Sequence, residues 1–204
     1  MAITGHGITA FQPPGAIDSW GRVVTHERSR DLDQFLAGVE RRAFRMAHIA
    51  TGDADEAMDL VQDAMLKLVQ RYGDRGVAEW GPLFHTILQS RIRDWYRRTK
   101  VRNRWREWIG SRYVDEEQDD PIEAIADHDQ RLSDEQLALK RATTALEQAV
   151  RSLPLRQQQA FLLRAWEELD VAQTARAMGC TEGSVKTHYF RAVHTLRKVL
   201  GDHW

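Results

Sequence analysis

Apolar residues recur at helical spacing along most of the chain. Leu32, Phe35, Leu36, Val39, Ala43, Met46 and Ala47 fall three or four apart, which places them on one helix face. The run ends near Thr51-Gly52, where glycine can take the left-handed cap. Asp53 followed by Glu56 predicts a capping box, and Ala57, Leu60, Val61, Ala64, Met65 and Leu68 continue as a second stripe. Gly73, Gly76 and Gly81 predict a loop over Tyr72–Gly81, with Pro82 opening the next helix. That helix turns Leu83, Phe84, Ile87, Leu88, Ile92, Trp95 and Tyr96 inward and leaves Arg91, Arg93, Arg97 and Arg98 for solvent or phosphate. Further on, Ser133 predicts the cap of a helix carrying Leu139, Ala142, Leu146, Ala149, Val150 and Leu153, which Pro154 interrupts. A helix through Leu155, Phe161, Leu162 and Trp166 follows, then Val171 to Met178 and Thr181 to about Leu200. No strand pattern competes, so the expected fold is all-α.

Two stretches lack this periodicity. Met1 to Arg30, rich in Gly, Pro and Thr, predicts a flexible extension or docking arm. Asp115 to Asp134, with Pro121 and only Ile122 and Ile125 as aliphatic anchors, has the composition of a linker. The expected organisation is therefore an extension over 1–30, a helical domain over 31–108, an acidic linker over 109–134 and a second helical domain over 135–204.

The 204 residues suffice for two small cores. The one cysteine, Cys180, excludes an internal disulfide and any multi-cysteine zinc site, and it reads as a small buried hydrophobe in a reducing cytosol. No segment predicts a signal peptide or a membrane span, so the expectation is a soluble cytoplasmic protein without membrane insertion. The formal net charge of -1 conceals a strong segregation. Arg91, Arg93, Arg97, Arg98, Lys100, Arg102, Arg104 and Arg106 are opposed over that stretch only by Asp94. The acidic block from Asp115 to Glu135 is opposed only by Arg131. On charge alone this fits either a nucleic-acid surface or a solvated helix followed by a tether.

The last two helices carry the most specific signal. Ala175, Gly179 and Val185 have the spacing of a helix-turn-helix, in which the alanine allows close packing, the glycine makes the turn and the valine anchors the second helix. Thr181 caps that helix. Thr181, Glu182, Ser184, Lys186 and Thr187 would then face base edges and phosphates, with Arg191 one turn on. An ordinary helical hairpin has no need of so polar a first turn.

Together these segments resemble the extracytoplasmic-function sigma factors of bacterial RNA polymerase, over about Asp31 to Arg98 and Leu137 to Leu200. DEAMDLVQDAMLKLVQRY (55–72) looks like that family's polymerase-binding helix, LFHTILQSRIRDWYRR (83–98) like its promoter-melting helix, and 151–200 like its region four. Three sets of contacts are implied. Asp59, Leu60, Gln62 and Asp63 would meet core RNA polymerase. Tyr72, Trp80, His85, Ser90, Arg91, Arg93, Arg97 and Arg98 would meet the minus-ten element, where the loop before Phe84 would hold a flipped base. Arg164, Thr181, Ser184, Lys186, Thr187, His188, Phe190 and Arg191 would meet the minus-thirty-five element. The resemblance also implies an anti-sigma partner and an acidic linker threaded through a basic polymerase channel. Leu83-Phe84 and Ser90 depart from the Trp-Leu and Asn usual in the family.

Two other readings are possible. A helix-turn-helix regulator with an N-terminal sensor domain explains the last helices but not the basic, aromatic helix before the linker. An enzyme is disfavoured: there is no HExxH, no phosphate-cradling glycine loop and no nucleophile elbow, and the histidines are scattered. No cofactor is expected.

Overall fold

The computed structural model describes residues 16–17, 23–24, 26–110 and 134–201. Seven α-helices account for nearly all of them: α1 (His26–Thr51), α2 (Ala54–Tyr72), α3 (Val77–Gly110), α4 (Asp134–Ser152), α5 (Leu155–Phe161), α6 (Val171–Met178) and α7 (Glu182–Leu200). A π-helical turn, Leu162–Trp166, continues α5. The chain is thus all-α in architecture. The expectation of no strand needs one correction, since Ala16–Ile17 (β1) pairs antiparallel with Val23–Val24 (β2). The linker and the Ser133 cap lie outside the described residues, and α1 begins at His26, inside the segment expected to be an extension.

In the first half α1, α2 and α3 pack their periodic faces together. Met46, Leu68, Trp80, Phe84, Leu88 and Ile92 are the largest side chains enclosed. Gly52, at φ 77, ends α1 as expected. The capping box at α2 is only half formed. Asp53 accepts from the Glu56 backbone N–H at 2.9 Å, but the Glu56 carboxylate accepts instead from Trp95 Nε1 at 2.8 Å. The inward placement of Trp95 and Tyr96 divides accordingly: Trp95 packs against the core, and Tyr96 is exposed.

The start of α3 is the main departure from the expected loop. Residue 77, not Pro82, opens the helix, and Pro82 lies inside it. Gly76 and Glu79 form the start reciprocally: the Glu79 N–H donates to Gly76 O at 2.9 Å, and the Gly76 N–H donates to Glu79 Oε1 at 3.3 Å. Early helical winding places Trp80 wholly inside, against Phe35 and with Nε1 donating to Tyr72 O at 3.0 Å. Burial of the largest side chain outweighs the loop preference of the glycines.

In the second half α4 to α7 enclose Val150, Leu162, Leu163, Met178, Val185 and Leu196. The two halves are in contact. α3 lies along α6, and α1 meets α4.

Candidate nucleic-acid interface

On α3, residues seven apart return to nearly the same face. Arg91, Asp94, Arg97, Arg98, Val101 and Arg102 line an open groove of about 630 Å³. Asp94 holds Arg97 in an ion pair, and Arg91 lies 3.9 Å from Asp63 of α2. Four guanidiniums against one groove carboxylate leave an excess of positive charge, suited to a phosphate backbone. Arg102 belongs to this groove although it was not among the expected site residues. Its signal was available, four residues beyond Arg98.

The other expected minus-ten residues are placed differently. Ser90 and Arg93 turn with Tyr96 and Arg97 toward Leu155 and Arg156, around a cleft of about 290 Å³ between the halves. Arg93 is half-buried there and donates to Ala177 O at 2.9 Å. Burial, and the nearby charge of Arg156, press its guanidinium below the ordinary value. Tyr72 is half-buried at the end of α2. Trp80, fully enclosed, offers no face to a base in this arrangement. His85 is also inside, 3% exposed, with Nε2 3.2 Å from the Glu167 carboxylate. The sequence marks both as aromatic or imidazole groups beside a basic segment, and only packing distinguishes core from groove.

On α2, Asp59, Gln62 and Asp63 are exposed together. Leu60, with Val61 and Ala64, points into the core, so the apolar part of this surface is formed by other residues. Met58, Leu66 and Val69 are exposed beside the acids, giving an apolar patch with a polar rim. Sequence reasoning passed over these three because they lie off the dominant stripe.

The helix-turn-helix is built by local rules. Asp170 and Gln173 form a reciprocal capping box at α6, with bonds of 2.6 and 2.9 Å. Gly179 closes α6 at φ 61, a left-handed angle that strains any residue with a Cβ. Thr181 caps α7 by accepting from the Ser184 N–H at 3.2 Å, and the two hydroxyls lie 2.9 Å apart. Thr187 Oγ1 donates to Gly183 O at 3.0 Å. Thr181, Lys186, Thr187, Phe190 and Arg191 are exposed along this helix, and Ser184 and His188 are half-exposed. Phe190 is 71% exposed and its ring stacks on His194. Burial, together with the charges of Arg156 and Arg191, lowers the His188 pKa, so the imidazole is neutral near pH 7 and an approaching phosphate would favour its protonation. Arg164 stands apart from this row, donating to Leu169 O in the connection that leads to α6.

Among the described residues no cluster of His, Cys, Asp and Glu is arranged to hold a metal, and no helix is long and apolar enough to cross a membrane.

The family model described as Sigma-70 region 2 matches residues 32–102, and Sigma-70, region 4 matches 143–196. The ECF RNA polymerase sigma factor BldN of Streptomyces coelicolor is 28% identical over 190 residues, covering 92% of this chain; the chain spans 62% of that relative's length. The RNA polymerase sigma-E factor of Streptomyces antibioticus is 30% identical over 148 residues, 72% of each chain. Among solved structures, the sigma factor RpoE of Bartonella quintana, crystallised with the anti-sigma factor NepR, superposes with a TM-score of 0.57 at 25% identity, covering 86% of this chain and 99% of that one. A basic groove on the region 2 helix, a capped helix-turn-helix in region 4 and relatives of this kind lead to one assignment: the chain belongs to the extracytoplasmic-function group of RNA polymerase sigma factors.

Proposed function

We propose that this chain binds core RNA polymerase and directs it to promoters, region 2 engaging the minus-ten element and region 4 the minus-thirty-five element. The observation that carries this is the presence, on one chain, of two separate surfaces suited to DNA: the α3 groove and the exposed polar edge of α7. The α2 patch of Met58, Leu66 and Val69, rimmed by Asp59, Gln62 and Asp63, suits a protein partner, and core polymerase is that partner. Arg91, Arg97, Arg98 and Arg102 track the opened strand electrostatically. Lys186, Thr187 and Arg191 meet duplex DNA, and Phe190 adds an apolar contact for a thymine methyl.

Each DNA surface is small, and a single good base contact is worth about 1 to 3 kcal/mol. Useful affinity therefore requires polymerase to hold both surfaces on one promoter, so that the second contact forms at high effective concentration. An anti-sigma factor is the expected regulator, as the complex of the Bartonella relative with its own partner supports.

Run-off transcription tests this reading, with the full chain added to core polymerase on a library of genomic fragments. The expected result is a discrete set of start sites that depend on the added chain. A chain that binds duplex DNA but neither associates with core enzyme nor redirects it would instead be a stand-alone helix-turn-helix regulator.

A further inference from the structure

Three guanidiniums meet in the cleft between α3 and α5 with too few carboxylates to neutralise them. Arg93 and Arg97 enter from α3 and Arg156 from α5, around a space of about 290 Å³. Asp94, the acid on its lining, is already paired with Arg97. Among the described residues Arg93 and Arg156 are in no ion pair. Backbone carbonyls hold them instead: Nη1 of Arg93 donates to Ala177 O at 2.9 Å, and Nη1 of Arg156 donates to Met178 O at 2.7 Å. A carbonyl aims a guanidinium without neutralising it, and each guanidinium keeps further N–H groups to give. A buried donor stands beside them. Gln159, 2% exposed, accepts from Arg156 Nη1 at 3.4 Å through Oε1, while its Nε2 donates to nothing.

We propose that this cleft binds a small phosphorylated molecule of the nucleotide class, its phosphate held by Arg93 and Arg156 and its base laid on Tyr96. Three cations and one carboxylate leave two positive charges, the complement of a phosphate dianion. Ser90 adds a hydroxyl to the same lining. The rest of the wall is apolar: Tyr96 is 44% exposed, and Leu155 is half-buried. Inorganic phosphate has no use for such a wall, whereas a base stacks on an aromatic face whatever its identity. The volume lies near the lower end for small-molecule pockets, roughly 300 Å³, which suits a mononucleotide better than a strand.

A bound phosphate has a consequence outside the cleft, because Asp94 and Arg97 line both this space and the open groove on α3. A dianion beside Arg93 and Arg156 attracts the Arg97 guanidinium and draws it from the groove. On the reading of that groove as a DNA surface, a nucleotide in the cleft competes with a single strand for Arg97.

Isothermal titration calorimetry of the full chain at low salt tests the site, with AMP, GMP, inorganic phosphate and adenosine as separate titrants. AMP and GMP are expected to bind saturably at one site and more tightly than inorganic phosphate, and adenosine should give no saturable heat. Arg156→Gln should weaken both nucleotides and phosphate by about tenfold, the scale of one hydrogen bond to a charged group. Tyr96→Ala changes an exposed side chain, which guards against a folding defect in Arg156→Gln, and should reduce nucleotide affinity to that of phosphate. Arg102→Ala, which alters the groove but not the cleft, should leave every titration unchanged. Inorganic phosphate binding the parent as tightly as AMP and GMP would identify free phosphate as the ligand and overturn the role of Tyr96. No saturable binding of any anion, or equal losses in Arg102→Ala and Arg156→Gln, would overturn the site. Saturating AMP should also weaken single-strand affinity of the parent by about threefold, the order of one lost phosphate contact, and leave Arg156→Gln unaffected. Unchanged affinity in the parent would overturn the competition for Arg97. The titrations contain neither polymerase nor DNA, so their failure is distinct from failure of the sigma reading, which would appear as no response of core enzyme to the parent chain.

Discussion

Trp80→Phe separates a structural role for this side chain from the base-holding role its position suggests. Trp80 is fully enclosed, its ring against Phe35, and its indole N–H donates to Tyr72 O across the α2–α3 connection. Phenylalanine keeps one ring but leaves a void of about 35 to 40 Å³, which at ~24 cal/mol per Å³ costs about 0.9 kcal/mol. The lost hydrogen bond adds about 1 kcal/mol. The sum, about 2 kcal/mol, is a sizeable fraction of the 5 to 15 kcal/mol typical of folded domains. It should lower the melting temperature by roughly 4 to 8 °C, at 2 to 4 °C per kcal/mol for a chain of this size. Urea melts followed by far-ultraviolet circular dichroism should show a lower midpoint at unchanged slope, which marks a stability change without altered compactness. Single-stranded DNA affinity of the polymerase holoenzyme, measured well below the melting temperature, should not change. An unshifted midpoint together with a severalfold loss of that affinity would refute the core assignment and return Trp80 to the DNA surface.

Three further outcomes are expected. Glu168→Gly should stabilise the chain by up to about 1 kcal/mol in the same urea melts, because Glu168 holds a left-handed φ of 54 that costs a residue with a Cβ about that much. Arg98→Ala and Arg102→Ala should each reduce the dependence of single-strand affinity on log salt by about 0.7, if each guanidinium meets one phosphate, and titrations across ionic strength read this slope directly. The third concerns acid. Burial alone would raise the Glu167 carboxyl, but the hydrogen bond and charge of His85, with the charge of Arg42, hold it below its ordinary 4.5. A depressed carboxyl stabilises the native state above its unfolded pKa, and that contribution is lost as pH falls below about 4.5 toward the folded value. His48 acts in the same direction at higher pH. Burial and Arg151 lower it from 6.5, so the fold disfavours its charged form and stability declines as pH falls from 6.5. Melts between pH 7 and 3 should show both phases, with Glu167→Gln flattening the lower and His48→Gln the upper.

The sequence determined what depends on neighbours along the chain. The stripe Ala57, Leu60, Val61, Ala64 and Leu68 made α2 legible, and Gly52, Asp53, Gly179 and Thr181 marked helix ends because cap geometry is set within four residues. The helix-turn-helix was readable for the same reason, since Ala175, Gly179 and Val185 do their work in adjacent helices. The basic groove was readable in part: the charges on α3 were plain, but not which way each would turn. Only tertiary structure decided that Trp80 fills the core, that His85 meets Glu167, and that Arg93 caps α6 while Arg98 and Arg102 stay in the open groove. Periodicity shows that a helix has faces, and the partner against each face is set by chain segments far away. The pairing of Glu167, at the end of the π-turn, is likewise illegible in sequence, because its partner His85 lies some eighty positions earlier.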